Sequence, residues 1–221
     1  MSKQLFDAIR AGDHGKVEAL LASDATLLNA KDDTGLSPFT IAKYSGRNDI
    51  AAMLLEKGLD LDLFSACMAG SNQRVEELIR QQPELAKAYS ADGWTALHLA
   101  CFFGQPAIAE MLIAKDAPVN ARSTNAMKNA PLHAAAAGRN HDAVRILLEH
   151  GADANARQEG GWTALHQAAQ NGDLETARLL IAAGADVDAR ASNQQNALDL
   201  ALTKGHQAMV DLLDQCAAKG S

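Results

Sequence analysis

Aromatic residues are scarce in this chain, which has two Trp, two Tyr and five Phe among 221 residues. So few rings argue against one thick core. The many small apolar side chains within a hydrophobic content of 48% suit slender helices packed closely instead. Cysteine is sparse as well, and three in a chain of this length do not make a disulfide framework. There is no excess of positive charge. A net charge of -7 argues against non-specific nucleic-acid binding, which depends on Lys and Arg neutralising phosphates. No stretch approaches the ~20 apolar residues that span a bilayer, and the segment Met1 to Asp7 lacks the apolar run of a signal peptide. These shortages together lead us to expect a cytoplasmic protein, with neither membrane nor nucleic acid as partner.

What the chain does have is repetition. Large apolar residues recur at Leu5, Phe39, Leu63, Leu97, Leu132, Leu165 and Leu198, in steps of 34, 24, 34, 35, 33 and 33. A second ladder through Leu20, Leu54, Leu78, Leu112, Leu147, Leu180 and Leu213 takes the same six steps, always fifteen residues behind the first. Two ladders in lockstep mean one supersecondary unit copied seven times. Each copy reads as a helix pair. A short first helix such as Thr95 to Ala100 ends near Gly104, and a second follows with apolar residues at helical spacing, for instance Ala143, Val144, Leu147 and Leu148. Gly58, Gly151 and Gly184 stand where a helix needs a left-handed residue to stop. A lone pair cannot bury its apolar face, so neighbours must stack.

Thr95-Ala96-Leu97-His98, Ala130-Pro131-Leu132-His133 and Thr163-Ala164-Leu165-His166 resemble the Thr-Pro-Leu-His signature of ankyrin repeats. The runs Gly151 to Asn155 and Gly184 to Asp188 resemble the Gly-Ala-Asp-Val-Asn ending of the same family. The resemblance covers roughly residues 4–216 and implies an all-α solenoid of stacked helix-turn-helix units with projecting hairpin loops. Two N-terminal repeats fill residues 1–62, five more fill 63–216 in the same stack, and 217–221 form a tail. Departures carry information. The 24-residue step predicts that the unit opening at Leu63 lacks its hairpin, with altered stacking near Leu61 to Phe64. That unit also matches the first one, since Val17, Leu20, Leu27, Ala30 and Gly35 correspond to Val75, Leu78, Leu85, Ala88 and Gly93, all 58 apart. Asp116 and Pro118 replace the usual Gly and Asp, which predicts a different turn there. Asp211, Asp214 and Gln215 make the outer face of the last unit polar, as a capping repeat requires.

Catalytic or metal chemistry finds little support. His98, His133 and His166 recur in register, yet equivalent positions in stacked repeats lie about 8–10 Å apart, whereas zinc needs each ligand nitrogen within about 2.1 Å of one ion. The resemblance implies instead that each His bonds the neighbouring loop and the Thr three residues before it. Cys67 and Cys101 share one repeat position and read as small buried hydrophobes. The Gly-rich run from Gly12 to Lys16 lacks phosphate-loop spacing and reads as a helix–helix turn. No enzyme, cofactor or metal motif is present.

Function is therefore sought in residues the fold does not need. In ankyrin proteins the loop tips and the ends of the first helices line a concave groove that binds partners. Those positions bring Tyr44, Met68, Trp94, Phe102 and Phe103 to one side of the second to fourth units, with Trp162 in the Trp94 slot two units on. Tyr and Trp are frequent interface anchors, although such rings also pack under neighbouring loops. At the repeat junction runs a ladder of Lys31, Tyr89, Arg122, Arg157 and Arg190. Its bases either meet an acidic partner segment or are simply solvated, and Arg122 and Arg157 stay among the binding candidates. The expected function is a monomeric scaffold or adaptor for an unidentified protein partner. The alternative is an immunity-like regulatory subunit that blocks a partner enzyme. Since the recurring histidines read as structural, EDTA should leave the melting temperature unchanged, and a fall on chelation would contradict that assignment.

Overall fold

The computed structural model describes residues 1–217. Of the tail expected at residues 217–221, all but the first residue lie outside the described residues. Among the described residues fourteen α-helices form seven pairs, each joined by a tight turn. The pairs are α1 (Ser2–Ala11) with α2 (His14–Ser23), α3 (Pro38–Tyr44) with α4 (Asn48–Glu56), and α5 (Leu63–Ala69) with α6 (Asn72–Gln81). Then come α7 (Ala96–Phe102) with α8 (Pro106–Ile113), α9 (Pro131–Ala137) with α10 (His141–Glu149), α11 (Ala164–Asn171) with α12 (Leu174–Ala182), and α13 (Ala197–Lys204) with α14 (Gln207–Ala217). Odd-numbered helices stack in order as an inner row, and even-numbered ones stack behind them.

The inner helices start where they do because of their N-caps. Thr95 holds extended backbone and its hydroxyl accepts the His98 N–H, while His98 Nδ1 takes the Thr95 hydroxyl at 2.7 Å and its N–H at 3.4 Å. Orphan donors of the first turn are thereby satisfied. His166 does the same for Thr163, and His133 takes the Ala130 N–H. Asp199 and Asn196 make the equivalent box in the last unit. The far ring nitrogen then reaches the next hairpin. His98 Nε2 donates to the Asn129 carbonyl at 2.9 Å, His133 Nε2 to Trp162 at 3.2 Å, and His166 Nε2 to Gln195 at 3.2 Å. A ring that accepts at Nδ1 and donates at Nε2 must be neutral.

Hairpin tips are linked to one another directly. The Thr124 N–H donates to Gly93, Glu159 to Met127, and Ser192 to Gly160, at 2.8–2.9 Å. Gly93 is required here: its φ is +84°, and a Cβ would come within 2.7 Å of the Asn125 nitrogen. Close approach also fixes Gly138 between α9 and α10, where a Cβ would meet the Phe102 carbonyl oxygen at 2.3 Å. Asn140 donates to that same carbonyl at 2.7 Å, tying the fifth pair to the fourth.

At residues 57–62 the pattern breaks. No hairpin projects between α4 and α5; a six-residue connection joins them. Arg74 of α6 secures it, donating to the Leu61 carbonyl at 3.0 Å and pairing with Asp60 at 2.6 Å. Inner helices α3 and α5 touch less than other inner neighbours, and α4 and α6 barely meet. The flanking hairpins nevertheless close over the missing one: a Cβ on Gly35 would lie 3.1 Å from that of Ala91. The row of tips is continuous while the helices behind it are splayed.

Elsewhere the stack is regular. Asp116 takes the left-handed conformation, φ +61°, that Gly58, Gly151 and Gly184 take at the same place, so the expected change of turn is a change of residue only. A short polar side chain tolerates that region. Cys67 and Cys101 are buried and unpaired, and burial raises both thiol pKa values. Asp211, Asp214 and Gln215 are exposed on the closing helix.

The neutral histidines make stability depend on pH. In the unfolded chain an imidazole binds its proton near 6.5, but burial lowers His98 to about 4 in the fold, and also lowers His133 and His166. Above 6.5 neither state is protonated and the full stability is present; as pH falls from 6.5 towards 4 the unfolded state gains protons that the fold refuses. His98 alone should remove about 3 kcal/mol over that window, at about 1.4 kcal/mol for each pH unit between the two values. Denaturant unfolding at stepped pH checks this, and a flat profile down to the carboxylate range would contradict it.

Candidate functional site

Two inner helices end in aromatic residues, each ahead of a left-handed glycine: Tyr44 before Gly46 and Phe102 before Gly104. Between them stands α5, where Met68 holds the equivalent position but is turned into the core, leaving Ala69 and Gly70 at the helix end. The small end leaves room for rings to meet across it. Tyr44 stacks on Phe103 with centroids 6.3 Å apart, and Phe103 meets Phe102 edge-on at 5.1 Å. The Tyr44 hydroxyl donates to Asp92 on the tip of the next hairpin at 2.7 Å. Burial first, and the Asp92 carboxylate second, raise the Tyr44 pKa, so the phenol stays protonated. Lys43 stands 5.0 Å above the Phe103 ring, a cation–π contact. Burial lowers the Lys43 pKa.

Lys43, Tyr44 and Phe102 help to wall an apolar hollow of about 350 Å³. Lys43 and Tyr44 bound it on one side, Trp94 and Phe102 form its flank, and Met127 reaches in from the next hairpin. Its floor is Ala134 and Ala137 of α9, small residues where α7 carries Leu99 and Phe102. Tyr44 is 41% exposed, Phe102 44% and Met127 50%. Trp94 and Phe103 are half-buried and pack on the core. A hollow of this size, apolar with a few polar groups, is the usual form of a ligand site.

The structure separates the expected residues into those that meet and those that do not. Tyr44, Trp94, Phe102 and Phe103 come together. Met68 does not join them, because it points into the stack from the inner row and is 1% exposed. It is core, which corrects its assignment to the partner-binding face. Trp162 sits on a different hairpin and leans on His166, centroids 5.8 Å apart, as Trp94 leans on His98 at 5.5 Å. Both indoles thus shield a buried imidazole. Arg157 spends its guanidinium on the carbonyls of Gly161 and Arg190, at 3.2 and 2.7 Å, and so braces two hairpins. Arg122 is exposed, and its charge acts on His133 to help keep that ring neutral.

Sequence reasoning missed Lys43, Met127, Asn129 and the alanine floor. Two signals could have found them. The step of 35 residues marks a longer hairpin, the one that carries Met127, and the run Ala134 to Ala137 marks a helix surface without bulk. Nothing in the sequence singled out Lys43. Among the described residues no group of three or more His, Cys, Asp and Glu is placed to hold a metal ion.

A family model described as ankyrin repeats in three copies matches residues 63–158 and 132–219, from α5 onwards. Ankyrin repeat and SAM domain-containing protein 6 of Rattus norvegicus is 34% identical over 107 residues, 47% of this chain and 12% of that protein. The human transient receptor potential cation channel subfamily A member 1 is 31% identical over 161 residues, 67% of this chain and 14% of that protein. Target of rapamycin complex 2 subunit AVO2 of Saccharomyces cerevisiae is 28% identical over 176 residues, 73% of this chain and 41% of that protein. The chain thus spans less than half the length of each of these relatives.

Exposure divides the apolar residues into two kinds with opposite responses to truncation. Phe102→Ser should change stability by no more than about 0.5 kcal/mol, as surface changes usually do. Met68→Ala should cost about 2–5 kcal/mol, as for a buried Met. Thermal or denaturant unfolding of both variants checks the pair. A large loss for Phe102→Ser would make it core and close the hollow to partners.

Proposed function

The chain belongs to the ankyrin-repeat family, and from that premise we propose that it is a scaffold or adaptor gripping a protein partner on the hairpin side of its second to fourth repeats. Ankyrin repeats generally mediate protein–protein interaction, and the family is typically a non-enzymatic module. The observation that carries the finer reading is the hollow itself. In a chain with nine aromatics, three line the hollow and Phe103 stacks on one of them, Tyr44, while Phe102 is left 44% exposed. An apolar surface of that kind marks binding sites. One relative is by name a subunit of a larger complex, which agrees with a scaffolding role. The proposed unit is a monomer acting in the cytoplasm. Its two N-terminal repeats at 1–62 and five at 63–216 present one continuous row of tips. No helix among the described residues is long and apolar enough to cross a membrane. Arg122 and Arg157 are proposed as further partner contacts, with Arg157 also bonding the Gly161 and Arg190 carbonyls.

Affinity capture followed by mass spectrometry tests the reading when the wild type and Phe102→Ser are run in parallel. Partners held through the hollow should be lost from the variant, with affinity down at least about thirtyfold, the ~2 kcal/mol that defines a hot spot. Equal recovery by both proteins would place the binding elsewhere. A captured enzyme whose activity falls in the complex would move the role to that of an inhibitory subunit.

A further inference from the structure

The hollow is not uniformly apolar, and its polar groups are incompletely matched. Lys43 Nζ lies against the Phe103 ring and 3.4 Å from Asn48 Oδ1, in a chain of net charge -7. Among the described residues no carboxylate comes within ion-pair distance of it. The nearest acid on the next tip, Asp92, already receives the Tyr44 and Ser90 hydroxyls at 2.7 and 2.6 Å. Asn129 also lines the hollow; it is 5% exposed, and its side-chain oxygen is buried with no hydrogen-bond partner among the described residues. A buried acceptor left unmatched costs free energy that a donor from outside would recover.

Resting on the docking role proposed above, we infer that the hollow takes an extended segment of a protein partner that carries a bulky apolar side chain with an Asp or Glu beside it. The apolar side chain fills the space over Ala134 and Ala137, against Phe102 and Trp94. The neighbouring carboxylate meets Lys43, and a main-chain N–H of the segment satisfies Asn129 once its amide turns toward the hollow. A cationic neighbour is disfavoured, because Lys43 already supplies the positive charge there.

The test uses the full chain, isotopically labelled for NMR, and three blocked peptides: acetyl-Gly-Phe-Glu-Gly-amide, acetyl-Gly-Phe-Lys-Gly-amide and acetyl-Gly-Ala-Glu-Gly-amide. The Trp94 indole N–H reports on the hollow and the Trp162 indole N–H is the internal control. The Phe-Glu peptide should shift the Trp94 signal saturably, about two- to fivefold tighter than the Phe-Lys peptide, while the Ala-Glu peptide shifts neither indole. Lys43→Gln should abolish the preference for Glu over Lys and leave the Trp162 signal in place. Equal binding of both Phe peptides, or a preference that survives Lys43→Gln, would overturn the acidic requirement and leave the docking reading standing. If no peptide moves the Trp94 signal, both fall.

Discussion

Among the described residues no helix pair can bury its apolar face by packing on itself alone, so each depends on the pair beside it. Leu5, Leu97, Leu132 and Leu165 are all at most 1% exposed, each in a different inner helix of the same row. Stability in such an array is a sum of repeat and interface contributions between nearest neighbours. Each interface must therefore be held in register, and polar groups hold it. One imidazole caps its own helix and bonds the next hairpin; one asparagine ties the turn of one pair to the helix end of another. The imidazoles can serve only while neutral, which couples the register of the fourth to seventh pairs to proton concentration.

The same constraint explains the rearrangement around the absent hairpin. With no loop ahead of α5, the tips on either side lose the neighbour they would have bonded, and they close onto each other at Gly35 and Ala91. Helices behind them give way instead, so that α4 and α6 lose most of their contact. The closure draws Tyr44 of the second pair to Asp92 and Phe103 of the fourth. One wall of the hollow is built from residues of pairs that are not neighbours in the chain. The candidate site is in this sense a product of the deletion.

Much of the architecture was legible in the sequence because it repeats. Helix pairs, their caps and the connection at 57–62 follow from the two leucine ladders and the short step, and the recurring His shows its role through its spacing from Thr. The site was only partly legible. Tyr44, Phe102 and Trp94 could be placed because repeat register puts them at helix ends and tips. Met68 was misplaced because it shares that register with exposed positions, but its side chain is buried near the tips that close over the missing hairpin at Gly35 and Ala91. Lys43 and Met127 escaped notice because their importance comes from contacts across repeats, and a one-dimensional pattern does not carry those.

Losing one hairpin brings the tips on either side together and so creates the hollow. Spin labels on Thr34→Cys and Ala91→Cys, in a Cys216→Ser background that leaves only the buried native cysteines, measure that separation without any partner. Strong dipolar broadening from labels on touching tips is the result this account predicts. A spacing of two ordinary repeat steps, about 16–20 Å between backbones, with the broadening lost, would contradict it.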